Sequence, residues 1–137
     1  MTKIKYDSDL MKLMTLFESM TGAKVKDCIS GEKLIFIIEE NEMGKAIGKN
    51  GANIKRIENV LKKKIKLAEF SNDAVQFVKN MIYPIEILDI KQEDKIITVH
   101  GKDANAKAFL IGRDRQNINH LSNIVKRYFD VKEIKVL

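Results

Sequence analysis

Several residue types that build catalytic and metal sites are scarce in this sequence. It contains one cysteine, Cys28, two histidines, His100 and His120, and no tryptophan. A single cysteine excludes an intramolecular disulfide and a cysteine-rich zinc site. The histidines could pair with Cys28 as base and nucleophile, but the three residues are scattered and follow no catalytic pattern. We interpret them as structural or solvated residues and expect no enzyme activity, no metal and no cofactor.

Long apolar segments are also absent. No run approaches the ~18 apolar residues of a membrane span, and the first residues, MTKIKYDSDLMK, contain no apolar core of a signal peptide. We therefore expect a soluble, cytoplasmic protein. Apolar residues make up 45% of the 137 residues, which suffices for a packed core. The length suits one ordinary domain or two very small ones.

The charge is positive and unevenly distributed. Lys and Arg number 25 against 19 Asp and Glu, a net charge of +6, which suggests a polyanionic partner. Between positions 45 and 66 there are eight basic residues and one acid, Glu58. The lysines at 62, 63, 64 and 66 could simply form a solvated face. Their concentration beside the glycine-rich segment described next favours a binding surface.

The central motif is residues 44–61, GKAIGKNGANIKRIENVL. Gly48-Lys49-Asn50-Gly51 predicts a tight turn, because glycine adopts positive φ at little cost and lets another backbone approach closely. The helix that follows, from about Ala52, presents free N–H groups and a partial positive charge, a natural site for a phosphate. Four cations surround this turn: Lys45, Lys49, Lys55 and Arg56.

Hydrophobic periodicity predicts the same order of elements in both halves. The first half contains a helix at 7–21, a hairpin at 24–40, a helix–loop–helix at 42–61 and a strand at 62–70. The run Leu34–Ile38 is apolar on both faces, which indicates a central strand. The second half contains a helix ending near 82, a strand in which Ile85, Ile87 and Ile90 alternate, and a turn at Gln92-Glu93-Asp94. It continues with a strand at 96–100, a helix at 103–111, a loop at 112–115, a helix at 116–128 and a strand at 131–137.

The two halves repeat one another. Gly48 and Gly112 are 64 residues apart, and at this offset identical residues coincide: Ile47 with Ile111, Asn53 with Asn117, Ile54 with Ile118 and Asn59 with Asn123. The first helices match at the same offset, Leu13 with Phe77 and Met14 with Val78. A repeat of this size indicates two copies of one unit. We predict an α+β fold with two domains, residues 1–70 and 71–137, each built around a three-stranded sheet.

The string I-G-K-x-G-x-x-I-K-x-I resembles the GxxG loop of KH domains, which clamp about four nucleotides of single strand. The element order resembles the type II KH fold, with helices on one face of the sheet. Two such modules in tandem with almost no linker narrow the resemblance to archaeal NusA-like transcription factors. The resemblance implies a protein that binds single-stranded nascent RNA, with RNA polymerase as a second partner, in termination, antitermination or elongation. We expect a monomer, although the sequence leaves the oligomeric state open.

The resemblance also implies which residues contact RNA. In the first module they are Lys45, Ile47, Gly48, Lys49, Asn50, Gly51, Asn53, Ile54, Lys55 and Arg56. In the second they are Gly112, Arg113, Asp114, Arg115, Gln116, Asn117 and Ile118. Bases would lie in an apolar groove beside the loop helix and edge strand. Ile47 and Ile54 line this groove or belong to the core, and the two asparagines bind nucleotides or cap helices.

The second loop departs from the motif. Arg115 stands where the second glycine is expected, which puts close backbone approach in doubt, and Asp114 subtracts positive charge. Arg113 still supplies a cation that can pair with phosphate.

Three other functions compete with this interpretation. An enzyme is disfavoured because GKAIGKNG lacks the Lys-Ser/Thr of a Walker A loop. An RNA-binding role in ribosome assembly or RNA processing would use the same loop chemistry. A protein-binding adaptor would bind through its helix faces, and loop substitutions would leave that binding intact.

Overall fold

The structure, a computed structural model, describes residues 8–137. The chain folds into two compact units, Met1–Phe70 and Ser71–Leu137. The first unit has helices α1 (Ser8–Thr21), α2 (Met43–Ile47) and α3 (Ala52–Leu61), and strands β1 (Val25–Ile29), β2 (Leu34–Ile38) and β3 (Ile65–Glu69). The second has helices α4 (Ala74–Ile82), α5 (Ala104–Ile111) and α6 (Gln116–Tyr128), and strands β4 (Ile87–Glu93), β5 (Ile96–Gly101) and β6 (Glu133–Val136). Residue 7, where the first helix was predicted to begin, lies outside the described residues.

Each unit contains one three-stranded sheet, with strand orders β1-β2-β3 and β4-β5-β6. The first two strands of each sheet are antiparallel, and the second and third are parallel. Parallel neighbours need a crossover connection, which here consists of α2 and α3 in the first unit and α5 and α6 in the second. The prediction that Leu34–Ile38 is a central strand is confirmed, and all five of its residues are buried.

The core of the first unit joins its helices to the sheet. Phe17 of α1, Ala46 of α2 and Ile57 of α3 are at most 1% exposed and belong to one apolar cluster with Phe36 of β2. The rings of Phe17 and Phe36 pack with centroids 4.4 Å apart. In the second unit Phe77 of α4 is fully buried. Leu13, which the offset of 64 matches to Phe77, is only partly buried.

This corrects the single offset of 64 used to match the first helices. The C-terminal residues of α1 and α4, Thr21 and Ile82, are 61 positions apart, because the segments between these helices and the glycine loops differ in length. Only the region around the two loops repeats at an offset of 64.

Both hairpins contain a register irregularity at an aspartate. The pairing shifts between Val25 and Asp27 in β1, and between Ile87 and Asp89 in β4. Each carboxylate accepts a hydrogen bond from the next backbone N–H, at 2.8 Å in both strands. An extra residue at a bulge turns the strand out of simple alternation. The bulge in β4 lies between Ile87, which is partly buried, and Ile90, which is buried.

The expected layout of the second hairpin needs two further corrections. Ile85 precedes β4, and the turn consists of Asp94 and Lys95, since Gln92 and Glu93 still pair with β5. Asp94 has a φ of 56°, a left-handed conformation that aspartate tolerates in tight turns. Among the described residues, no helix is long and apolar enough to cross a membrane.

We predict that Phe17→Ala destabilises the protein by about 3–5 kcal/mol, because it leaves a cavity between α1 and the sheet. Urea unfolding followed by circular dichroism measures the change. The control is Met11→Ala on the same helix, where Met11 is 56% exposed, and it should have little effect. Equal losses in the two variants would contradict the placement of Phe17 at the centre of the core.

Candidate nucleic-acid interface

The first loop, residues 48–51, joins α2 to α3 through a tight turn. Gly48 has φ 75° and ψ 170°, and Asn50 and Gly51 are left-handed, with φ 55° and 74°. The Gly51 N–H donates to the Gly48 carbonyl at 3.1 Å. Lys49 and Asn50 are exposed at the tip of the turn. The tip of the loop is therefore open to solvent, while Gly48 and Gly51 are partly buried.

The two glycines of this loop have different requirements. A φ near 75° with ψ near 170° is a region that essentially only glycine occupies. A Cβ added at Gly48 would also lie 2.8 Å from Cγ of Asn53 and 2.9 Å from its backbone nitrogen. A Cβ at Gly51 would meet nothing within 4 Å. Space and torsion both require glycine at position 48, whereas only the left-handed torsion favours it at position 51.

Asn53, in the first turn of α3, bonds back to the helix before the loop. Its side-chain Nδ2 donates to the Lys45 carbonyl of α2 at 2.8 Å. Its Oδ1 accepts from Nη1 of Arg56 at 3.3 Å. Sequence reasoning left open whether this asparagine caps a helix or binds a nucleotide. In the structure its amide nitrogen is occupied within the protein.

The second loop, residues 112–115, has nearly the same backbone as the first. Gly112 has φ 76° and ψ 170°, and Asp114 and Arg115 are left-handed, with φ 53° and 61°. Asn117 Nδ2 donates to the Phe109 carbonyl at 2.7 Å, the counterpart of the bond made by Asn53. Arg115 is thus left-handed like Gly51, and the expectation that its side chain hinders close backbone approach stays a prediction.

The cations around the first loop differ in their partners. Lys49, Lys55 and Arg56 are exposed and form no ion pair with any described residue. Lys45 is 3.7 Å from the Glu42 carboxylate, with most of its side chain in solvent. At the other end of α3, Glu58 accepts from the Ile65 N–H at 3.1 Å, so this acid holds the start of β3.

The lysines after α3 differ in their exposure to solvent. Lys62, Lys63 and Lys64 are exposed, and Lys64 is 3.8 Å from Glu58. Lys66 lies in β3, where burial and, to a smaller extent, the charge of Lys33 lower its pKa. The exposed cations of this region therefore cluster at the two ends of α3, and Lys66 is set apart from them.

The apolar candidates separate into surface and core residues. Ile47 is 36% exposed beside the loop, and Ile54 is partly buried. Ile118, which matches Ile54 in the repeat, is 3% exposed. The structure places Ile118 in the core and so removes it from the candidate contact surface, because this side of α6 faces inward. Gln116 and Asn117 remain exposed.

Sequence reasoning missed Phe109, which precedes the second loop on α5. Its ring is 67% exposed, and it borders a pocket of about 410 Å³ lined by Pro84, Ile85, Ala106, Glu86, Lys102 and Asp103. The pKa of Lys102 is raised by its hydrogen bond to Glu86, which is 2.6 Å long. The offset of 64 pairs Phe109 with Lys45. This replacement of a cation by an aromatic ring beside the second loop was the feature of the sequence that could have pointed to Phe109.

The chain matches one family model and is similar to several named proteins. A family model described as KH domain matches residues 14–82, which contain the first loop. A probable transcription termination protein NusA of Methanococcus vannielii is 37% identical, over 98% of this chain and 80% of the relative. The protein of the same name from Methanocaldococcus jannaschii is 28% identical, over 100% of this chain and 77% of the relative.

The chain is also similar to a bacterial protein and to a solved structure. The transcription termination/antitermination protein NusA of Bacillus subtilis is 31% identical over 66% of this chain and 25% of its own length. Among solved structures, the crystal structure of APE1850 superposes with a TM-score of 0.71 at 25% identity. That superposition covers 96% of this chain and 99% of the other.

The unequal glycines of the first loop lead to a prediction about stability. Gly51→Ala should cost about 1 kcal/mol for its left-handed torsion, and Gly48→Ala at least twice as much, because the clash with Asn53 is added to the torsional strain. Gly44→Ala in α2 is the control, since a Cβ there meets nothing within 4 Å and alanine favours a helix. Urea midpoints rank the three variants. A cost at position 51 equal to that at position 48 would contradict the different requirements of the two glycines.

Proposed function

The chain belongs to the KH-domain family and to its archaeal NusA-like members, and we propose on this basis that it is a transcription factor that binds single-stranded RNA. It acts on nascent transcripts in termination, antitermination or elongation, and it binds without catalytic turnover. We propose that the two units are tandem type II KH domains, residues 1–70 and 71–137. RNA polymerase is the second proposed partner, because the relatives are named for transcription termination.

The observation that carries the proposal is the shape of the first loop together with its charge. The loop leads into the N-terminus of α3, where the Ala52 N–H donates to the Lys49 carbonyl and the next N–H groups have no partner within the helix. An anion is stabilised there by these donors and by the helix dipole. Lys49, Lys55 and Arg56 are exposed and without acidic partners among the described residues. An RNA phosphate fits these donors and charges together.

The second unit supports the proposal through its repeated geometry. Its sheet order, crossover helices and loop torsions match those of the first unit. Its charges differ, because the offset of 64 replaces Lys55 by Asn119 and Arg56 by His120, and Asp114 offsets one of the two loop arginines. We propose that the first loop is the tighter phosphate clamp and that the second adds avidity through linkage.

The first prediction of this proposal concerns the form of the nucleic acid. A single-stranded RNA of about 15–20 nucleotides should bind more tightly than its matched duplex, because a short loop and groove suit unstacked bases. Fluorescence anisotropy with both forms at one salt concentration measures the ratio. Equal or tighter binding of the duplex would contradict the proposal. If substitutions in the loop weaken the binding of neither form, the protein-binding adaptor is favoured.

The second prediction compares the two loops. Replacing Lys49 and Asn50 together by Asp places two negative charges beside the phosphate and should abolish most binding. Because both residues lie at the exposed tip, the loop should still fold. Arg113→Ala should cost less and lower the slope of log K against log salt by ~0.7, the value of one phosphate contact on a single strand.

Both variants are measured on an RNA long enough to reach both units, with circular dichroism as the control for folding. If Arg113→Ala is the more damaging change, the second loop is the main clamp and the proposed ranking is wrong.

A further inference from the structure

We propose that Asn53 and Asn117 are positioning residues of the two loops and do not contact RNA through their side-chain amide nitrogens. Each forms what we call the asparagine bridge, a hydrogen bond from Nδ2 to a backbone carbonyl eight residues earlier, Lys45 or Phe109. The role in RNA binding rests on the proposed function; the bridge itself concerns the free protein.

The asparagine bridge closes a gap in backbone hydrogen bonding. The last carbonyls of a helix have no partner within it, and Lys45 and Phe109 lie in the last turns of α2 and α5. The bridge satisfies one such carbonyl at 2.8 Å in the first unit and 2.7 Å in the second. The side chains of the two acceptor residues share no chemistry, so the bridge recognises the backbone alone.

The bridge also explains the first glycine of each loop. A Cβ at Gly48 would be 2.8 Å from Cγ and Nδ2 of Asn53, and a Cβ at Gly112 would be 2.6 Å from Cγ of Asn117. Real Cβ atoms do not approach that closely, so any side chain there would displace the asparagine. The first glycine is present in both loops, while the second is replaced by Arg115, which stays left-handed.

Through the bridge, the end of one helix is held against the beginning of the next. α2 has only five residues, and a helix that short is not stable by itself. Asn53 therefore fixes where Lys45 and Lys49 stand relative to the N-terminus of α3. Its Oδ1 also accepts from Arg56 at 3.3 Å, which orients a second cation toward the loop. An asparagine that orders the phosphate donors raises affinity without touching the RNA.

The test begins with the RNA-free protein. In ¹⁵N NMR spectra, the side-chain amide protons of Asn53 and Asn117 should exchange slowly. Asn53→Ala and Asn53→Asp both remove the donor, and each should speed exchange of the Gly51 backbone amide by about three- to tenfold, the effect of one net hydrogen bond. The control is Asn59→Ala, an exposed asparagine on the same helix, which should leave Gly51 exchange unchanged.

The second measurement is RNA affinity of the same variants, below their unfolding temperatures. Asn53→Ala should weaken single-stranded RNA binding by about three- to tenfold. The slope of log K against log salt should change by less than ~0.7, the value of one phosphate contact. Asn59→Ala should bind as the wild type does. A purely structural asparagine would lower the urea midpoint but leave the affinity of the folded protein unchanged.

A double-mutant cycle isolates the contact between the asparagine and the glycine. Because Asn53→Ala removes the atoms that a Cβ at position 48 would meet, Gly48→Ala should cost less stability in that background than in the wild type. Strictly additive costs would overturn the proposed packing.

Two results would overturn the positioning role. The first is an Asn53 amide signal that becomes protected only when RNA is added, with Gly51 exchange unaffected by the substitution, since this indicates direct contact. The second is faster loop exchange with unchanged RNA affinity. A wild-type protein that binds no RNA would instead refute the proposed function, and the exchange data would then decide by themselves whether the bridge holds the loop.

Discussion

A backbone conformation that only glycine tolerates governs both candidate binding loops. Gly48 and Gly112 have φ near 75° and ψ near 170°, and an asparagine five residues later packs where a side chain would stand. That packing lets the asparagine amide reach the carbonyl of the preceding helix. The contact joins the end of α2 to the start of α3, and the end of α5 to the start of α6.

The two loops show how one shape can carry two chemistries. Their torsions agree within a few degrees except at the second glycine position, where φ is 74° at Gly51 and 61° at Arg115. Around the first loop the exposed side chains include Lys45, Lys49, Lys55 and Arg56. Around the second, Phe109, Asn119 and His120 stand at the positions of Lys45, Lys55 and Arg56. The first loop thus carries the larger positive charge, and the second offers an aromatic ring and neutral polar groups beside a smaller positive charge.

Much of the fold could be predicted from the sequence, because its signals are local. Glycine at 48 and 112, the apolar run Leu34–Ile38 and the apolar faces of the helices depend on short stretches of chain, and their elements appear where expected. The parts that were misjudged depend on distant residues. The bulges at Asp27 and Asp89 shift the strand register, and the first helices end 61 positions apart, not 64.

The sequence by itself determined the repeat, the element order, the positions of the two glycine turns and the excess of positive charge beside the first of them. These follow from residue type and spacing, which need no knowledge of how the chain packs. Only the tertiary structure decided what the matching residues do. It placed Ile118 in the core, left Phe109 in solvent, and joined the amides of Asn53 and Asn117 to backbone carbonyls of the preceding helices. The physical reason is that burial and hydrogen-bond partners are set by neighbours across the helix pair, and these neighbours are defined only once the helices have packed.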